Sequence, residues 1–331
     1  MKKILLILLS LVFILSIATG CGKEKTAKDI VLDGLEKQKT IESESFAGQM
    51  KLDFDFSNVN ATSEEIAMMQ MFPGMELTFD GKETLDPLQF EMNLNLKIQG
   101  MSFDMPMFMK DNILYIKLPA YFLMFLPDPT VEYISMDLSE TYAEYDAKAE
   151  LEKSAEVMKA IVNSIEDKAF AKEDAKNYTI ENVEVSDVVS FNITQENLKP
   201  VLQSIVKEAL PYFLEQIDKY SATPEQKEQM DLLKAELEQE KIDQFINDID
   251  QYLIINQFKT TSVYDKDGYE RKAIVDADVI ITAEEIGELG LKMNIDYTIK
   301  SINEELQFEM EIPSKDKVLD LEELAEMGAG F

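Results

Sequence analysis

Long stretches of this chain alternate apolar and polar residues with a period of two. From Phe46 to Phe56, and again from Leu88 to Ile98, every second residue is apolar or glycine, and the residues between them are mainly charged or carry amides. Side chains of a β-strand point alternately to opposite faces, so this period is typical of strands with one buried and one wet face. Strands of this kind pair in antiparallel meanders. The chain is therefore constrained to form an antiparallel sheet with an apolar face.

The same alternation predicts further strands, and turn residues separate them. They cover residues 101–109, 113–118, 182–193, 252–264, 273–281, 291–299 and 306–312. Gly100 and the Asp111-Asn112 pair supply turns between neighbouring strands. The run from Asp265 to Gly268 is similar to the opening of a calcium loop, but Tyr269 stands where a third oxygen ligand is expected. A plain hairpin turn is the favoured interpretation.

Apolar residues at three- and four-residue steps predict amphipathic helices beginning near residues 26, 148, 195 and 224. Thr26 and Asp29 are spaced as a capping box, and Thr223-Pro224 is a strong helix start. Pro211 is expected to kink the third helix. A shorter helix, which could act as a lid, is predicted between the first two strands and ends at Pro73-Gly74. These patterns predict an α+β fold in which helices cover the apolar face of a curved antiparallel sheet.

The amino terminus has the pattern of an export signal. Two lysines precede an apolar run at residues 4–17, which is too short to span a bilayer as a helix. Small residues lead directly to Cys21, and this sequence resembles the bacterial lipobox, with Ala18 in place of the usual leucine. The interpretation is a signal peptide at residues 1–20 and a lipidated tether at 21–25. The alternative is an ordinary secretory signal with an incidental cysteine.

Composition excludes several functional classes. The chain has no histidine and one cysteine, so Ser-His and Cys-His nucleophile pairs, His-ligated zinc and an intrachain disulfide are excluded. Its formal net charge of −32 repels phosphate backbones, which argues against a nucleic-acid partner. Because the chain has 64 acidic residues, a pair of carboxylates chosen from the sequence is not evidence of a catalytic site. The sequence thus predicts no enzyme, no catalytic residue, no metal site and no cofactor.

The apolar face is unusually rich in methionine and phenylalanine. Methionine is flexible and polarizable and suits surfaces that adapt to varied apolar partners. The side chains predicted to line a site for a lipid or other hydrophobic ligand come from the short helix, from the strand after Gly100 and from the apolar segment at 121–126. They are Met69, Phe72, Met101, Phe103, Met105, Met107, Met109, Phe122 and Phe125. The alternative is that these residues fill a packed core.

The order of a lipobox, an amphipathic helix, an antiparallel meander, inserted helices and final strands resembles the LolA/LppX-like lipoproteins and lipoprotein carriers. The segment Met109 to Tyr115 is also similar to uncharacterised Firmicutes lipoproteins of that group. The resemblance covers nearly all of residues 27–313. It implies a half-barrel sheet whose concave apolar side is covered by helices, and acyl chains bound between the two.

These observations predict a single domain at residues 26–331 with a helical insertion around 140–250. The expected function is that of a lipoprotein anchored to the outer side of the cell membrane through lipid on Cys21, which binds or carries a hydrophobic ligand. The first alternative is a structural or protein-interaction lipoprotein of the cell envelope with a fully packed core and an unknown protein partner. A second, an extracytoplasmic solute-binding protein, lacks the strand–helix alternation of a parallel sheet.

Overall fold

A computed structural model of the chain describes residues 25–60, 74–124, 128, 130–139, 146–220, 232–235, 237–283, 287–321 and 323. The helices are α1 (Ala27–Gln38), α2 (Ala120–Leu123), α3 (Ala147–Ser164), α4 (Leu198–Tyr220) and α5 (Gln239–Asn247). The strands are β1 (Ser43–Val59), β2 (Gly74–Leu85), β3 (Leu88–Ile98), β4 (Met101–Lys110), β5 (Ile113–Lys117), β6 (Tyr133–Asp137), β7 (Phe170–Lys172), β8 (Val185–Asn192), β9 (Leu253–Asp265), β10 (Glu270–Ala283), β11 (Gly287–Ile302) and β12 (Val318–Asp320).

All of these strands belong to one sheet, in the order β12-β6-β5-β4-β3-β2-β1-β11-β10-β9-β8-β7. Pairing is antiparallel from β2 through β6 and from β7 through β10, and β12 pairs with β6 in parallel. The predicted α+β class with a mostly antiparallel sheet is confirmed. The short parallel pair departs from the fully antiparallel sheet that the sequence predicts.

The chain divides into two compact units. One consists of Met1–Thr40, Leu52–Pro73 and Leu151–Ile295, and we call it the helix-rich unit. The other consists of Ile41–Lys51, Gly74–Glu150 and Asp296–Phe331, and we call it the meander unit.

The helix-rich unit buries the apolar sides of its helices against its strands. Ile30 of α1, Ile161 of α3 and Ile205 of α4 are at most 1% exposed and belong to one core cluster. Strands β8 to β10 contribute to the same cluster, for example through Phe258 and Val279. The α1 helix begins at the predicted capping box, since Thr26 Oγ1 accepts a hydrogen bond from Asp29 N and the Asp29 carboxylate accepts one from Thr26 N.

Tight turns set the register of the meander unit. Gln99 and Gly100 join β3 to β4, and Asp111 and Asn112 join β4 to β5. All four residues have positive φ, the conformation that two-residue hairpin turns require and that Asn, Asp and Gly tolerate best. In the helix-rich unit, the predicted hairpin after Asp265 is also confirmed, because its Oδ1 accepts hydrogen bonds from the backbone N–H groups of residues 267 and 269.

One predicted strand is absent from the described structure. Residues 306–312 alternate as a strand should, yet they form an irregular segment. This segment is held by side chains of β2 and β3: Glu91 Oε1 accepts a hydrogen bond from Met310 N at 2.6 Å, and Lys82 Nζ donates to the Gln307 carbonyl. Lys82 and Glu91 face each other across the two strands in a salt bridge of 3.1 Å. Buried polar side chains have therefore replaced the hydrogen-bond ladder that the pattern predicts.

Other differences concern element boundaries. Strands β2, β6, β7 and β12 were not predicted from the sequence. The helix predicted from residue 224 through Ile249 is interrupted, because Leu237 lies in a turn and Glu238 has the extended backbone of an N-cap before α5. The predicted start of that helix lies outside the described residues. The α4 helix begins at Leu198, three residues later than predicted, and continues through Pro211.

The buried pair on β2 and β3 gives a test of this arrangement. Glu91 is 5% exposed, so replacing it with alanine leaves Lys82 without its carboxylate partner and releases Met310. We expect Glu91→Ala to lower the free energy of unfolding by roughly 3 kcal/mol in urea denaturation. Glu76→Ala removes a more exposed pair with Lys97, at 3.9 Å, from the same two strands and should cost at most about 1 kcal/mol. Equal losses in both variants would contradict the structural role assigned to Glu91.

Candidate functional site

The five predicted residues of β4 occupy one face of the meander sheet. Directly paired residues of antiparallel strands point to the same side, and the register sets Met105 opposite Leu94 and Met107 opposite both Met92 and Ile116. The other predicted β4 residues, Met101, Phe103 and Met109, follow the same two-residue period. The apolar residues of β3 and of β4 therefore form a common surface, which we call the meander face.

Exposure changes along β4. Met109 is 8% exposed and Met101 is 54% exposed, while Phe103, Met105 and Met107 are half-buried. A side chain in a filled core is almost fully buried, as Ile205 is in the helix-rich unit. The meander face thus runs from a closed end near Met109 to an open end near Met101.

Helix α2 brings aromatic rings to this face. It is a single turn that begins directly after Pro119, whose fixed φ suits the start of a helix. The Phe103 ring centroid lies 6.1 Å from that of Phe122 and 6.4 Å from that of Tyr121. These separations are within the range of favourable aromatic pairs. The structure therefore brings Phe122 together with the β4 residues, as the candidate site requires.

Four predicted functional residues lie outside the described residues. They are Cys21, Met69, Phe72 and Phe125. The signal peptide and the short helix predicted as a lid fall in the same undescribed ranges.

An aromatic cluster that the sequence analysis missed lies on β1, β2 and β11 of the meander unit. The rings of Phe46, Phe79 and Tyr297 have centroids 5.8–6.2 Å apart. Glycine is needed at position 81, because a Cβ there would lie 2.7 Å from the backbone carbonyl oxygen of Glu91 and 2.7 Å from Cζ of Phe46. The alternation of Met75, Leu77 and Phe79 with polar residues was the available sequence signal for β2 and for this cluster.

Carboxyl groups lie on the same side as this cluster. Glu83 is two residues beyond Gly81 on β2 and pairs with Phe90 of β3, so it belongs to the meander face. Within the described part of the chain its carboxylate has no hydrogen bond or ion pair. Burial raises the pKa of Glu83 above its ordinary value.

Glu44 lies at the same end of the neighbouring strand β1. Its Oε1 accepts a hydrogen bond of 2.8 Å from the Tyr297 hydroxyl. Two contacts join the strands here: Leu85 N donates to the Glu42 carbonyl at 2.9 Å, and Gly81 lies beneath the ring of Phe46. Residues 83 and 44 fall between these contacts, which places two carboxyl groups and one phenol at the end of an otherwise apolar surface.

A separate cleft of about 430 Å³ lies in the helix-rich unit, between the end of α3 and the start of α4. Its walls include Ile165, Pro200 and two lysines. The ammonium of Lys168 pairs with Glu166 at 2.9 Å, and that of Lys207 pairs with Glu208 at 2.5 Å. Both cations of the cleft are thus engaged by neighbouring acids.

The described residues contain no group of three or more His, Cys, Asp or Glu side chains that could hold a metal ion. In the part of the chain that the structure describes, no helix is both long and apolar enough to cross a membrane.

Comparisons with known proteins give little further information. No protein-family model matches this chain, and no relative was found among curated proteins. Among solved structures, a β-barrel-like protein of a domain of unknown function, DUF1849, from Brucella abortus aligns with 78% of this chain and 99% of its own. The two sequences are 11% identical and the TM-score is 0.19, so the likeness carries no argument about fold or function.

The carboxyl of Glu83, which has no partner in the part of the chain that the structure describes, predicts a pH-dependent gain in stability on its removal. Because its pKa is raised in the folded state, folding favours the protonated form, and the ionised group destabilises the fold at pH 7. We expect Glu83→Gln to raise Tm at pH 7 by roughly 2–4 °C, the shift produced by about 1 kcal/mol. The difference should vanish below about pH 4, where the carboxyl is protonated in both states.

Circular dichroism melts of the full chain at the two pH values measure this difference. Asp80→Asn, on the opposite face of β2, is the matched control and should leave Tm nearly unchanged. A lower Tm for Glu83→Gln at pH 7 would mean that the carboxylate has a stabilising partner, and the prediction would be wrong.

Proposed function

We propose that this protein is a lipid-anchored extracytoplasmic lipoprotein that binds or carries a lipid or another hydrophobic ligand on its meander face. The observation that carries the proposal is the half-buried Met/Phe/Leu surface of β3 and β4, with the rings of α2 against Phe103. Apolar surface of this kind gains free energy when it is removed from water, at about 25 cal/mol per Å². A bound alkyl chain supplies that burial, and methionine side chains adapt to its shape.

The resemblance to LolA/LppX-like proteins supports the same proposal from the sequence. In that arrangement the sheet is a half-barrel whose concave apolar side is covered by helices, and acyl chains occupy the space between. Helices packed on strands occur within the helix-rich unit. The predicted lid, with Met69 and Phe72, and the predicted ligand-lining residue Phe125 belong to the proposal as further contacts for the ligand.

A structural or protein-interaction lipoprotein is the second candidate. The observation that favours it is the tight core of the helix-rich unit, where Ile30, Ile205 and Ile249 are fully buried. A meander face that admits no ligand would support this candidate.

Photolabelling tests the meander face as a ligand site. The probe is dodecanol carrying a diazirine, added to the full-length lipoprotein in phosphatidylcholine vesicles and irradiated. We expect mass spectrometry to place the label on β3 to β5. Met105→Lys puts an unpaired charge on this face, at a cost of several kcal/mol, and should reduce labelling of these strands at least about tenfold.

The matched control is Ser102→Lys, which adds the same charge to the exposed opposite face of β4. It should be labelled like the wild type, and circular dichroism establishes that both variants are folded. Labelling absent from β3 to β5 of the wild type, or unchanged in Met105→Lys, would contradict ligand binding on this face and favour the packed alternative.

The lipid anchor is tested separately. Metabolic labelling with an alkynyl fatty acid should mark the wild-type protein, and Cys21→Ala should abolish the label because the acceptor sulfur is lost. The variant should also leave the membrane fraction or mislocalise, since acyl chains supply about 0.8 kcal/mol of membrane affinity per buried CH₂. Label that persists in Cys21→Ala would show that the lipobox interpretation is wrong.

A further inference from the structure

Glu83 differs from Glu76 and Glu91, the other glutamates of β2 and β3. On the opposite face of the same two strands, Glu91 pairs with Lys82 at 3.1 Å and Glu76 pairs with Lys97 at 3.9 Å. Glu83 follows Lys82 directly, but alternation sends the two side chains to opposite sides of the sheet. Within the described residues its carboxylate has no cation, although the side chain is mostly buried and lies opposite Phe90.

A charged group in this position costs free energy unless something compensates its charge. Burial also raises the pKa of Glu83, which is the response of a carboxylate that lacks a compensating cation. The ionised carboxylate is therefore expected to weaken the fold. Local departures from the best sequence for a fold are expected at functional sites.

The surroundings of Glu83 suit the polar end of an elongated ligand. From Phe90, which is paired with Glu83, the half-buried residues Met92 and Leu94 of β3 lead along the meander face toward its open end. Four residues of a strand cover roughly 13 Å, about the length of a medium alkyl chain. An amphiphile with its head at Glu83 would lay its chain along this row.

Charge selects the head group. A formal net charge of −32 disfavours an anionic head anywhere on the protein, and an unpartnered carboxylate disfavours it further at this end. An ammonium group is attracted by both, and it supplies the hydrogen-bond donors that the carboxylate lacks.

We propose that Glu83 binds the ammonium head group of an alkylamine-type amphiphile whose chain lies on the meander face along Phe90, Met92 and Leu94. Glu44, held by the Tyr297 hydroxyl, lies on the neighbouring strand at the same end and adds to the negative potential there. This inference rests on the proposed function and specifies its ligand class.

The test compares three diazirine probes of equal chain length, dodecylamine, dodecanol and dodecanoic acid, on the full-length lipoprotein in phosphatidylcholine vesicles. In the wild type, dodecylamine should label β2 to β5 about tenfold more than dodecanol, and dodecanoic acid should label least. Glu83→Gln should reduce dodecylamine labelling to the level of dodecanol and leave dodecanol labelling unchanged. Glu83→Lys should reverse the preference in favour of dodecanoic acid.

Asp80→Asn is the matched control, because it removes the same charge from the opposite, exposed face of β2. It should keep the preference for dodecylamine. If the preference persists in Glu83→Gln, or if dodecylamine and dodecanol label the wild type equally, the head-group assignment is overturned while ligand binding on the meander face stands. If none of the three probes labels β2 to β5 of the wild type, the proposed function itself fails.

Discussion

The pairing register of β2, β3 and β4 is the constraint on which the rest of the meander unit depends. Side chains alternate between the two faces, so a slip of one residue would transfer every apolar side chain to the polar side. Short turns set that register: residues 86–87 join β2 to β3, and Gln99-Gly100, with positive φ at both residues, joins β3 to β4. Because side chains alternate, two consecutive residues have opposite environments: Lys82 forms an ion pair with Glu91, whereas Glu83 lies on the apolar side with no partner among the described residues.

The two faces of this part of the sheet differ in what packs against them. On the polar face, the segment at 306–312 is held by Lys82 and Glu91, and Phe108 stacks on Tyr115 at 4.9 Å with both rings buried. On the meander face, most of β4 remains half-buried. On the polar face, buried polar groups need hydrogen-bond partners, and this requirement favours one arrangement of the chain. Adaptable methionines leave the second face able to accept varied apolar partners.

Much of the fold follows from residue patterns, and the exceptions have physical reasons. The capping box was sufficient to predict the start of α1, and the alternation was sufficient to predict β3 and β4, because each signal is local. Strand β2 was missed because Gly81 and Glu83 interrupt its apolar face. Residues 306–312 alternate correctly but form no ladder, since a strand also needs a neighbour with free backbone groups.

For the candidate site too, local sequence patterns predicted some residues, whereas others depend on contacts between distant parts of the chain. The sequence identified the β4 residues and Phe122 from composition and period alone. Phe79, Tyr297 and Glu83 were missed, because their significance depends on the strand order β3-β2-β1-β11. Strands β1 and β11 are separated by more than 200 residues of sequence, and no local pattern reports that they are neighbours.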